Sequence, residues 1–313
     1  MTAEFPQAPW DDDCSHDCRL LVQAAVREDL KNEYDWTTLA LVPQDAEGEA
    51  SMVAREAGVV AGMAAVPIVL EELNANVQWR PVLQDGNAVK PGDEIARIAG
   101  PARSLLTSER LLLNMMGRLS GIATLTRQYV DAAADASARI YDTRKTTPGW
   151  RRMEKYAVRL GGGWNHRLGL CDAVLIKDNH LAWGTGAEGD HCFSPAQAVT
   201  RAREFLAGLE AARPVDQWVV EIEVDTLAQF EEVLPSHPDI VLLDNMTSEQ
   251  LREAIQLRDR IAADVVLEAS GGVTLSSVAR IAASGVDRIS VGALTHSARW
   301  LDIGLDWRTP TAL

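Results

Sequence analysis

The second half of the chain alternates short apolar runs with helical patterns, and this alternation restricts the fold more than any other feature. Strands that alternate with helices imply parallel strands joined by crossover helices. Such units are able to close into a small α/β barrel, and an open doubly wound sheet is the competing architecture. The predicted strands are residues 139–143, 173–176, 218–224, 240–243, 265–269 and 288–291, and the predicted helices lie near residues 150–160, 195–212, 227–233, 248–257 and 276–283.

The first half of the chain has a different pattern. Residues 19–30 are predicted to form an amphipathic helix. Turn signals divide residues 50–98 into a small, mostly antiparallel β region. A strong helix follows, with Thr107 or Ser108 as its predicted cap. In the second half, the loop-like residues 182–192 have the character of an insertion.

The formal net charge of −15 disfavours two classes of function. A general nucleic-acid-binding protein needs a basic surface, and an anionic membrane repels an acidic chain. No apolar run reaches the roughly 18 residues of a membrane span, and the N-terminus lacks a signal-peptide pattern, so we expect a cytoplasmic protein. Cys14, His16 and Cys18 are a weak candidate metal set, because their spacing is not that of a standard zinc site.

Each predicted strand of the second half is followed by charged side chains or by a glycine turn. In parallel α/β folds the active site gathers at the carboxyl ends of the strands. We therefore predict a catalytic mouth at this edge of the sheet. The residues concerned are Arg144 and Lys145, Lys177 and Asp178, Glu221 and Glu223, Asp244 and Asn245, Ser270 to Gly272, and Gly292.

Residues 139–167 carry eight Lys or Arg and two acidic residues, although the chain as a whole is acidic. Arg144 and Lys145 follow a predicted strand, and His166 and Arg167 follow three glycines. These are candidate ligands for a substrate with several negative charges, because guanidinium groups match carboxylate and phosphate geometry. Helical spacing instead predicts a solvated face for three other basic residues, Arg152, Lys155 and Arg159.

The glycine turns and the acidic strand ends each allow more than one interpretation. Gly271, Gly272 and Gly292 are suited to bringing backbone N–H groups to a phosphate, and equally to forming tight turns. Glu223 and Asp244 are suited to Mg²⁺ that arrives with a diphosphate, to sugar hydroxyls, or to a simple ion pair with Lys or Arg.

Longer motifs run through these strand ends, at residues 142–149, 154–158, 161–167, 175–180, 221–224, 242–246, 268–272 and 291–297. With residues 27–30 and 109–114 upstream, they make the chain similar to the quinolinate phosphoribosyltransferase family. The resemblance extends over nearly the whole chain after the first two dozen residues. Its central motif is highly specific, and Trp36 is a departure from the family pattern.

The resemblance implies a fold and a reaction. The fold is an N-terminal open α/β sandwich domain at residues 1–118 and a small, incomplete parallel α/β barrel of about six strands at residues 119–293. The tail, residues 294–313, is expected to pack back on the first domain. The reaction joins quinolinate to 5-phosphoribosyl-1-diphosphate with Mg²⁺ and gives nicotinate mononucleotide, diphosphate and CO₂, a pentosyl transfer of NAD biosynthesis. A homodimer is implied, in which the partner's N-terminal domain covers each barrel mouth.

The same resemblance implies roles for individual residues. Lys145, Glu223 and Asp244 are the implied catalytic residues, and the two acids hold ribose hydroxyls or Mg²⁺. Quinolinate is bound by Thr143, Arg144, His166, Arg167 and Lys177, with Arg110 contributed across the dimer interface. The 5-phosphate is held by Ser270, Gly271, Gly272, Gly292 and His296.

Two other functions remain open. One is a paralogous phosphoribosyltransferase that acts on nicotinate or another pyridine. The number of cations among the implied substrate ligands favours a dicarboxylate over such a monocarboxylate. The other is a non-catalytic anion-binding protein on the same fold, which the retained acidic and lysine site residues disfavour.

Overall fold

The computed structural model describes residues 4–31, 33–134, 136–184, 192–209 and 218–308. They belong to two compact units, each built from several stretches of the chain. The barrel unit contains the N-terminal residues up to Gln7, Gln128–Arg144 and Trp164–Ala293. The antiparallel unit contains Ala8–Arg127, Lys145–Gly163 and the chain from Leu294 onward. Most of the predicted insertion, residues 185–191, lies outside the described residues.

The helices in chain order are α1 (Asp12–Leu30), α2 (Trp36–Leu41), α3 (Ala65–Glu72), α4 (Ala102–Ala132), α5 (Arg151–Leu160), α6 (Asp178–Trp183), α7 (Pro195–Ala207), α8 (Leu227–Val233), α9 (Ser248–Ile261), α10 (Leu275–Ala282) and α11 (Ala293–His296). The strands are β1 (Glu47–Ala54), β2 (Gly58–Val59), β3 (Gln78–Pro81), β4 (Ala88–Val89), β5 (Glu94–Pro101), β6 (Arg139–Tyr141), β7 (Val174–Ile176), β8 (Val220–Val224), β9 (Ile240–Asp244), β10 (Val266–Ser270), β11 (Arg288–Ser290) and β12 (Ile303–Arg308).

The parallel strands of the barrel unit follow a cyclic order. Neighbours in the six-stranded sheet are β6-β11-β10-β9-β8-β7, so the first strand of this unit pairs with its last. A doubly wound sheet instead starts in the middle and grows toward both edges. The cyclic order is that of an incomplete barrel. It confirms the predicted α/β barrel, and the competing doubly wound sheet is wrong.

All six predicted strands of the barrel unit are observed, and each observed end lies within two residues of its predicted end. The prediction succeeds because strands buried on both faces are continuous apolar runs. Ile240, Val241, Leu242 and Leu243 of β9 are all buried, for example. The predicted helix at residues 195–212 ends at Ala207, and residues 210–212 lie outside the described part of the chain.

The antiparallel unit is built on a four-stranded sheet with the order β12-β1-β5-β3. Its neighbouring strands are all antiparallel, as predicted for the first half of the chain. The C-terminal strand β12 pairs with β1 along its whole length, from Glu49 opposite Arg308 to Ala54 opposite Ile303. The face of this sheet buries Ala50 and Ile98 against Leu105 of α4.

Two helices begin earlier than predicted, and a local hydrogen bond explains where the first of them begins. α1 begins at Asp12 because the Asp11 carboxylate accepts a hydrogen bond of 2.9 Å from the Cys14 backbone N–H, which caps the helix. α4 begins at Ala102, and the predicted cap at Thr107 or Ser108 is wrong. The Ser108 hydroxyl already lies inside the helix and donates to a preceding backbone carbonyl, that of Leu105. None of the described helices is long and apolar enough to cross a bilayer.

The predicted solvated face of α5 is wrong for Lys155, which is fully buried, and holds only for the exposed Arg159. Helix α1 covers part of this surface, since the Arg152 guanidinium lies 3.0 Å from the Asp13 carboxylate. Helical spacing identifies which residues share a face, but it does not show which neighbour covers that face.

Gly121 of α4 packs against the backbone at Arg299 and Trp300. A Cβ at position 121 would overlap the Arg299 carbonyl oxygen and lie 2.9 Å from the Cα of Trp300. Because backbone atoms cannot rotate away, we expect Gly121→Ala to lower the free energy of unfolding by about 1–3 kcal/mol. Urea denaturation followed by circular dichroism measures this loss.

Gly208→Ala is the matched control, because a Cβ at that position would meet no atom closer than 3.5 Å. We expect its free energy of unfolding to stay within about 0.5 kcal/mol of the wild-type value. Equal losses in the two variants would contradict the packing argument.

Candidate active site

The carboxyl ends of the parallel strands bring most of the predicted site residues of the barrel unit to one edge. Thr143 and Arg144 follow β6, and Lys177 follows β7. Parallel pairing places the corresponding residues of neighbouring strands level with one another, and Asp244 of β9 is opposite Ser270 of β10. The others at this edge are Glu223, Gly271, Gly272 and Gly292.

Arg144 and Arg167 of this unit each keep a guanidinium donor without a partner, although the Arg167 Nη1 donates to the Ala173 carbonyl at 3.0 Å. The Nε atoms of Arg144 and Arg167 are buried, and neither makes a hydrogen bond within the described residues. Burial and the positive charge of Arg144 lower the pKa of the Arg167 guanidinium. Buried polar groups in proteins are nearly always satisfied, so orphaned guanidinium donors indicate that an anion binds there.

A buried carboxylate fixes the backbone between β6 and β7. Asp142 is fully buried, and it accepts one hydrogen bond of 2.9 Å from the His166 backbone N–H and another of 2.6 Å from the Asn165 amide. Trp164 extends this link, since its backbone bridges Tyr141 in the parallel direction. The segment that carries His166 and Arg167 is therefore bound to the end of β6.

Both ring nitrogens of His166 are engaged inside the barrel unit. The backbone N–H of Arg167 donates to Nδ1 at 2.8 Å, so Nδ1 carries no proton and the neutral ring has its proton on Nε2. Nε2 lies 3.0 Å from a carboxylate oxygen of Glu221 and 3.7 Å from one of Glu268. His166 is 5% exposed and faces these acids, and its role as a quinolinate ligand stays a prediction.

The cluster of His166, Glu221 and Glu268 is compact enough to resemble a metal site, since its ligand atoms lie within 4.8 Å of one another. A metal bound at Nε2 requires the ring proton on Nδ1, and the Arg167 N–H occupies Nδ1 as a donor. Burial and the charge of Glu221 also raise the pKa of Glu268, which favours its protonated form. The arrangement therefore favours an internal polar cluster over a metal centre.

The acidic strand ends have different surroundings. Glu223 of β8 forms an ion pair with Lys177. Asp244 of β9 is half-buried and accepts a hydrogen bond of 2.6 Å from the Asn245 amide. The two carboxylates lie on neighbouring strands and offer the hard oxygen ligands that Mg²⁺ prefers, so the donor set suits that ion.

The turn after β10 is tightly packed against Asn245. Gly271 has a φ of +90°, and a Cβ there would overlap the Asn245 side chain. The Asn245 backbone N–H donates to the Ser270 carbonyl at 2.9 Å. Only glycine fits at position 271, and the adjoining Gly272, with a φ of +57°, leaves open space where its Cβ would be.

Lys145 and His296, both predicted to contact the phosphoribosyl substrate, line one cavity of the antiparallel unit. Its volume is about 690 Å³, and Thr146, Thr147, Pro148, Trp150, Trp300 and Arg118 complete its lining. The Thr295 hydroxyl donates to the Lys145 carbonyl at 2.8 Å, which links the two segments that carry Lys145 and His296. Arg110 lies elsewhere in this unit, exposed on α4.

Arg118 was not predicted, although it organises this cavity. Its guanidinium donates to the fully buried Glu154 carboxylate at 2.5 Å and to the Thr295 carbonyl at 2.5 Å. Glu154 in turn accepts a hydrogen bond of 3.2 Å from the Thr147 backbone N–H. The sequence held one signal that could have identified Arg118. This residue lies within the apolar helical repeat of α4, where a charged side chain needs a buried partner.

The candidate metal set near the N-terminus is not brought together. Cys14 and Cys18 are fully buried, whereas His16 of the same helix is exposed. Burial raises the pKa of both thiols to about 12, which disfavours the thiolate form that binds metals.

Two family models match the chain. The quinolinate phosphoribosyl transferase N-terminal domain matches residues 35–120, and the C-terminal domain of the same family matches residues 122–306. The chain is 44% identical to the nicotinate-nucleotide pyrophosphorylase (carboxylating) of Mycobacterium leprae over 297 residues. This alignment covers 94% of this chain and 99% of that protein.

The probable nicotinate-nucleotide pyrophosphorylase (carboxylating) of Bacillus subtilis is 42% identical over 258 residues, or 82% of this chain and 83% of that protein. Among solved structures, the nicotinate-nucleotide pyrophosphorylase from Francisella tularensis superposes with a TM-score of 0.83 at 34% identity, over 94% of this chain and 97% of that one.

Arg118→Met tests the buried ion pair. The substitution leaves the Glu154 charge buried without its guanidinium, so we expect the free energy of unfolding to fall by about 3–5 kcal/mol. Adding Glu154→Gln removes that charge and should recover part of the loss, which urea denaturation measures. Arg201→Met, at an exposed guanidinium of α7, is the control and should have no comparable effect. A loss in Arg118→Met that matches this control would show that the pair contributes little.

Proposed function

The chain belongs to the quinolinate phosphoribosyltransferase family, and we propose that it transfers a phosphoribosyl group from 5-phosphoribosyl-1-diphosphate to quinolinate with loss of CO₂. The products are nicotinate mononucleotide and diphosphate. The reaction is that of a nicotinate-nucleotide pyrophosphorylase (carboxylating), a pentosyltransferase of NAD biosynthesis. The observation that carries the proposal is the pair of orphaned guanidinium donors at Arg144 and Arg167.

Quinolinate carries two adjacent carboxylates, and the barrel unit offers several cations for them. Arg144 and Arg167 have free Nε–H donors, and Lys177 already holds one carboxylate, that of Glu223. An incoming dianion competes for the Lys177 ammonium, and the two guanidinium groups gain charge-assisted hydrogen bonds. A monocarboxylate such as nicotinate leaves part of this positive charge uncompensated.

Each unit, taken by itself, carries groups that suit a phosphorylated substrate. Lys145 and His296 line one cavity of the antiparallel unit, and Lys145 is exposed, as a ligand for diphosphate must be. In the barrel unit, Ser270, Gly271 and Gly272 form the turn that we assign to the 5-phosphate, with Gly292 after β11. The positive φ of both glycines in that turn frees backbone N–H groups for an anion.

We assign Mg²⁺ to the diphosphate substrate, with Glu223 and Asp244 as protein ligands or as partners of the ribose hydroxyls. When bound, the ion neutralises charge on the leaving diphosphate. The two carboxylates lie at the carboxyl edge of the sheet, where negative charge also stabilises the oxocarbenium-like character that develops at the ribose.

Decarboxylation follows from the charge on the ring. Transfer of the ribosyl group to the pyridine nitrogen makes the ring cationic. The ring then accepts the electron pair that is released as the 2-carboxylate leaves as CO₂. A nearby ammonium or guanidinium group, such as those of Lys177 and Arg144, stabilises the carbanion until C2 is protonated.

We also propose a homodimer to which Arg110 contributes across the interface. Its exposure on α4 leaves it accessible to a partner subunit. We place the protein in the cytoplasm, since its four cysteines are free and its phosphorylated substrate does not cross membranes unaided.

A single assay distinguishes the candidate functions. Purified protein with 5-phosphoribosyl-1-diphosphate and Mg²⁺ is given either quinolinate or nicotinate, and CO₂ and diphosphate are measured. We expect both products with quinolinate and neither with nicotinate. Diphosphate from nicotinate alone would establish the paralogous activity, and no turnover with either would favour an anion-binding protein.

Lys145→Ala tests the catalytic assignment. Because the Lys145 ammonium is expected to stabilise charge on the diphosphate, we expect kcat to fall by roughly 100-fold or more. Lys90→Ala removes the same charge from an exposed position of the same unit and should leave kcat unchanged. Near-normal turnover by Lys145→Ala would show that the assignment is wrong.

A further inference from the structure

Residues 4–7 lie against the barrel unit at the amino ends of its strands, opposite the edge that carries the predicted site. Phe5 is 3% exposed and packs against Ile240 and Val266, which begin β9 and β10, and against Ala173 just before β7. Glu4 lies 2.8 Å from the Arg139 guanidinium and accepts a hydrogen bond of 2.9 Å from the Tyr141 hydroxyl. The segment therefore closes this end of the barrel unit.

The same segment contacts His166, the residue beside Arg167, whose Nε–H donor lacks a partner. The Phe5 ring stacks on the His166 imidazole, with centroids 4.4 Å apart and planes inclined by 29°. Gln7 holds the preceding residue, because its side chain accepts from the Asn165 backbone N–H at 2.9 Å and donates to the Asn165 carbonyl at 3.2 Å.

Neighbouring groups therefore contact the backbone N–H, both ring nitrogens and a ring face of His166. Asp142 holds its backbone N–H, Arg167 occupies Nδ1, and Glu221 faces Nε2. Phe5 covers a ring face. The Arg167 backbone N–H is the donor to Nδ1, so any rotation of the imidazole also disturbs the residue whose Nε–H donor lacks a partner.

We propose that Phe5 and Gln7 are positioning residues for quinolinate, acting through His166 and Arg167. This inference rests on the proposed function. It adds to the site two residues that precede the segment matched by the family models, which begins at residue 35. Neither residue is expected to touch substrate. Their effect is to hold the imidazole in one tautomer and orientation, and with it the backbone of Arg167.

Phe5→Leu separates positioning from simple filling of space. Leucine keeps an apolar side chain of similar reach, but it has no ring face to stack on His166. We expect the KM for quinolinate to rise about threefold to tenfold, which is the fold-change that corresponds to the energy of one aromatic pair. The KM for 5-phosphoribosyl-1-diphosphate should change by less than about twofold. A general loss of stability would not raise the KM for one substrate and leave the other unchanged, so this difference identifies positioning.

Phe230→Leu is the matched control, since Phe230 of α8 is fully buried in the same unit and is not among the residues described above around His166 and Arg167. It should lower the Tm without raising the KM for quinolinate. Gln7→Ala should reproduce the KM effect of Phe5→Leu, whereas Gln256→Ala, exposed on α9, should not. An unchanged KM in Phe5→Leu, or an equal rise in Phe230→Leu, would overturn the proposal.

A measurement without substrates keeps this test separate from that of the proposed function. The ring current of Phe5 shifts the His166 Cε1–H resonance in the proton NMR spectrum, which His166→Asn identifies. We expect Phe5→Leu to move this resonance and Phe230→Leu to leave it in place. An unmoved resonance overturns the positioning of His166 by Phe5. An absence of quinolinate turnover in the wild type together with a moved resonance overturns the proposed function, and with it quinolinate as the ligand, but leaves that positioning standing.

Discussion

The pairing of β6 with β11 is the constraint on which the barrel unit depends. These strands are far apart in sequence, yet Ile140 lies opposite Ile289 in a parallel register. The pairing makes the strand order cyclic and directs all carboxyl ends to one edge. Residues from six separate stretches of the chain are thereby brought to a common edge. Alternation along β8 puts Glu221 and Glu223 on the same face but at different depths, so Glu221 is fully buried whereas Glu223, nearer the carboxyl end, reaches Lys177.

Two buried carboxylates have partners within the described residues, since Glu154 is paired with Arg118 and Asp142 accepts from the amide and backbone groups of the segment beside it. The buried Nε donors of Arg144 and Arg167 make no hydrogen bond there. Because unsatisfied buried donors destabilise a fold, their retention indicates a ligand that satisfies them. This is why the geometry favours a function that acts on a dianionic substrate.

The support for the anion site extends to the opposite end of the strands. Phe5 and Gln7 are close to the start of the chain, and they reach His166 and Asn165 through a stacked ring and a pair of hydrogen bonds. Residues that hold a ligand are precise only when their own neighbours fix them. In this barrel unit the neighbours include residues that no motif near the strand ends would identify.

The sequence by itself determined the elements, the cationic strand ends and the family. The six buried strands were predicted to within two residues, because an apolar run between turn signals is a local property. Only the tertiary structure decided which side chains meet. It buried Lys155 on a helix face predicted to be solvated, engaged both ring nitrogens of His166, and paired Arg118 with Glu154. Periodicity shows which residues share a face, but the partner of a buried charge depends on contacts between elements distant in sequence, which a local pattern does not contain.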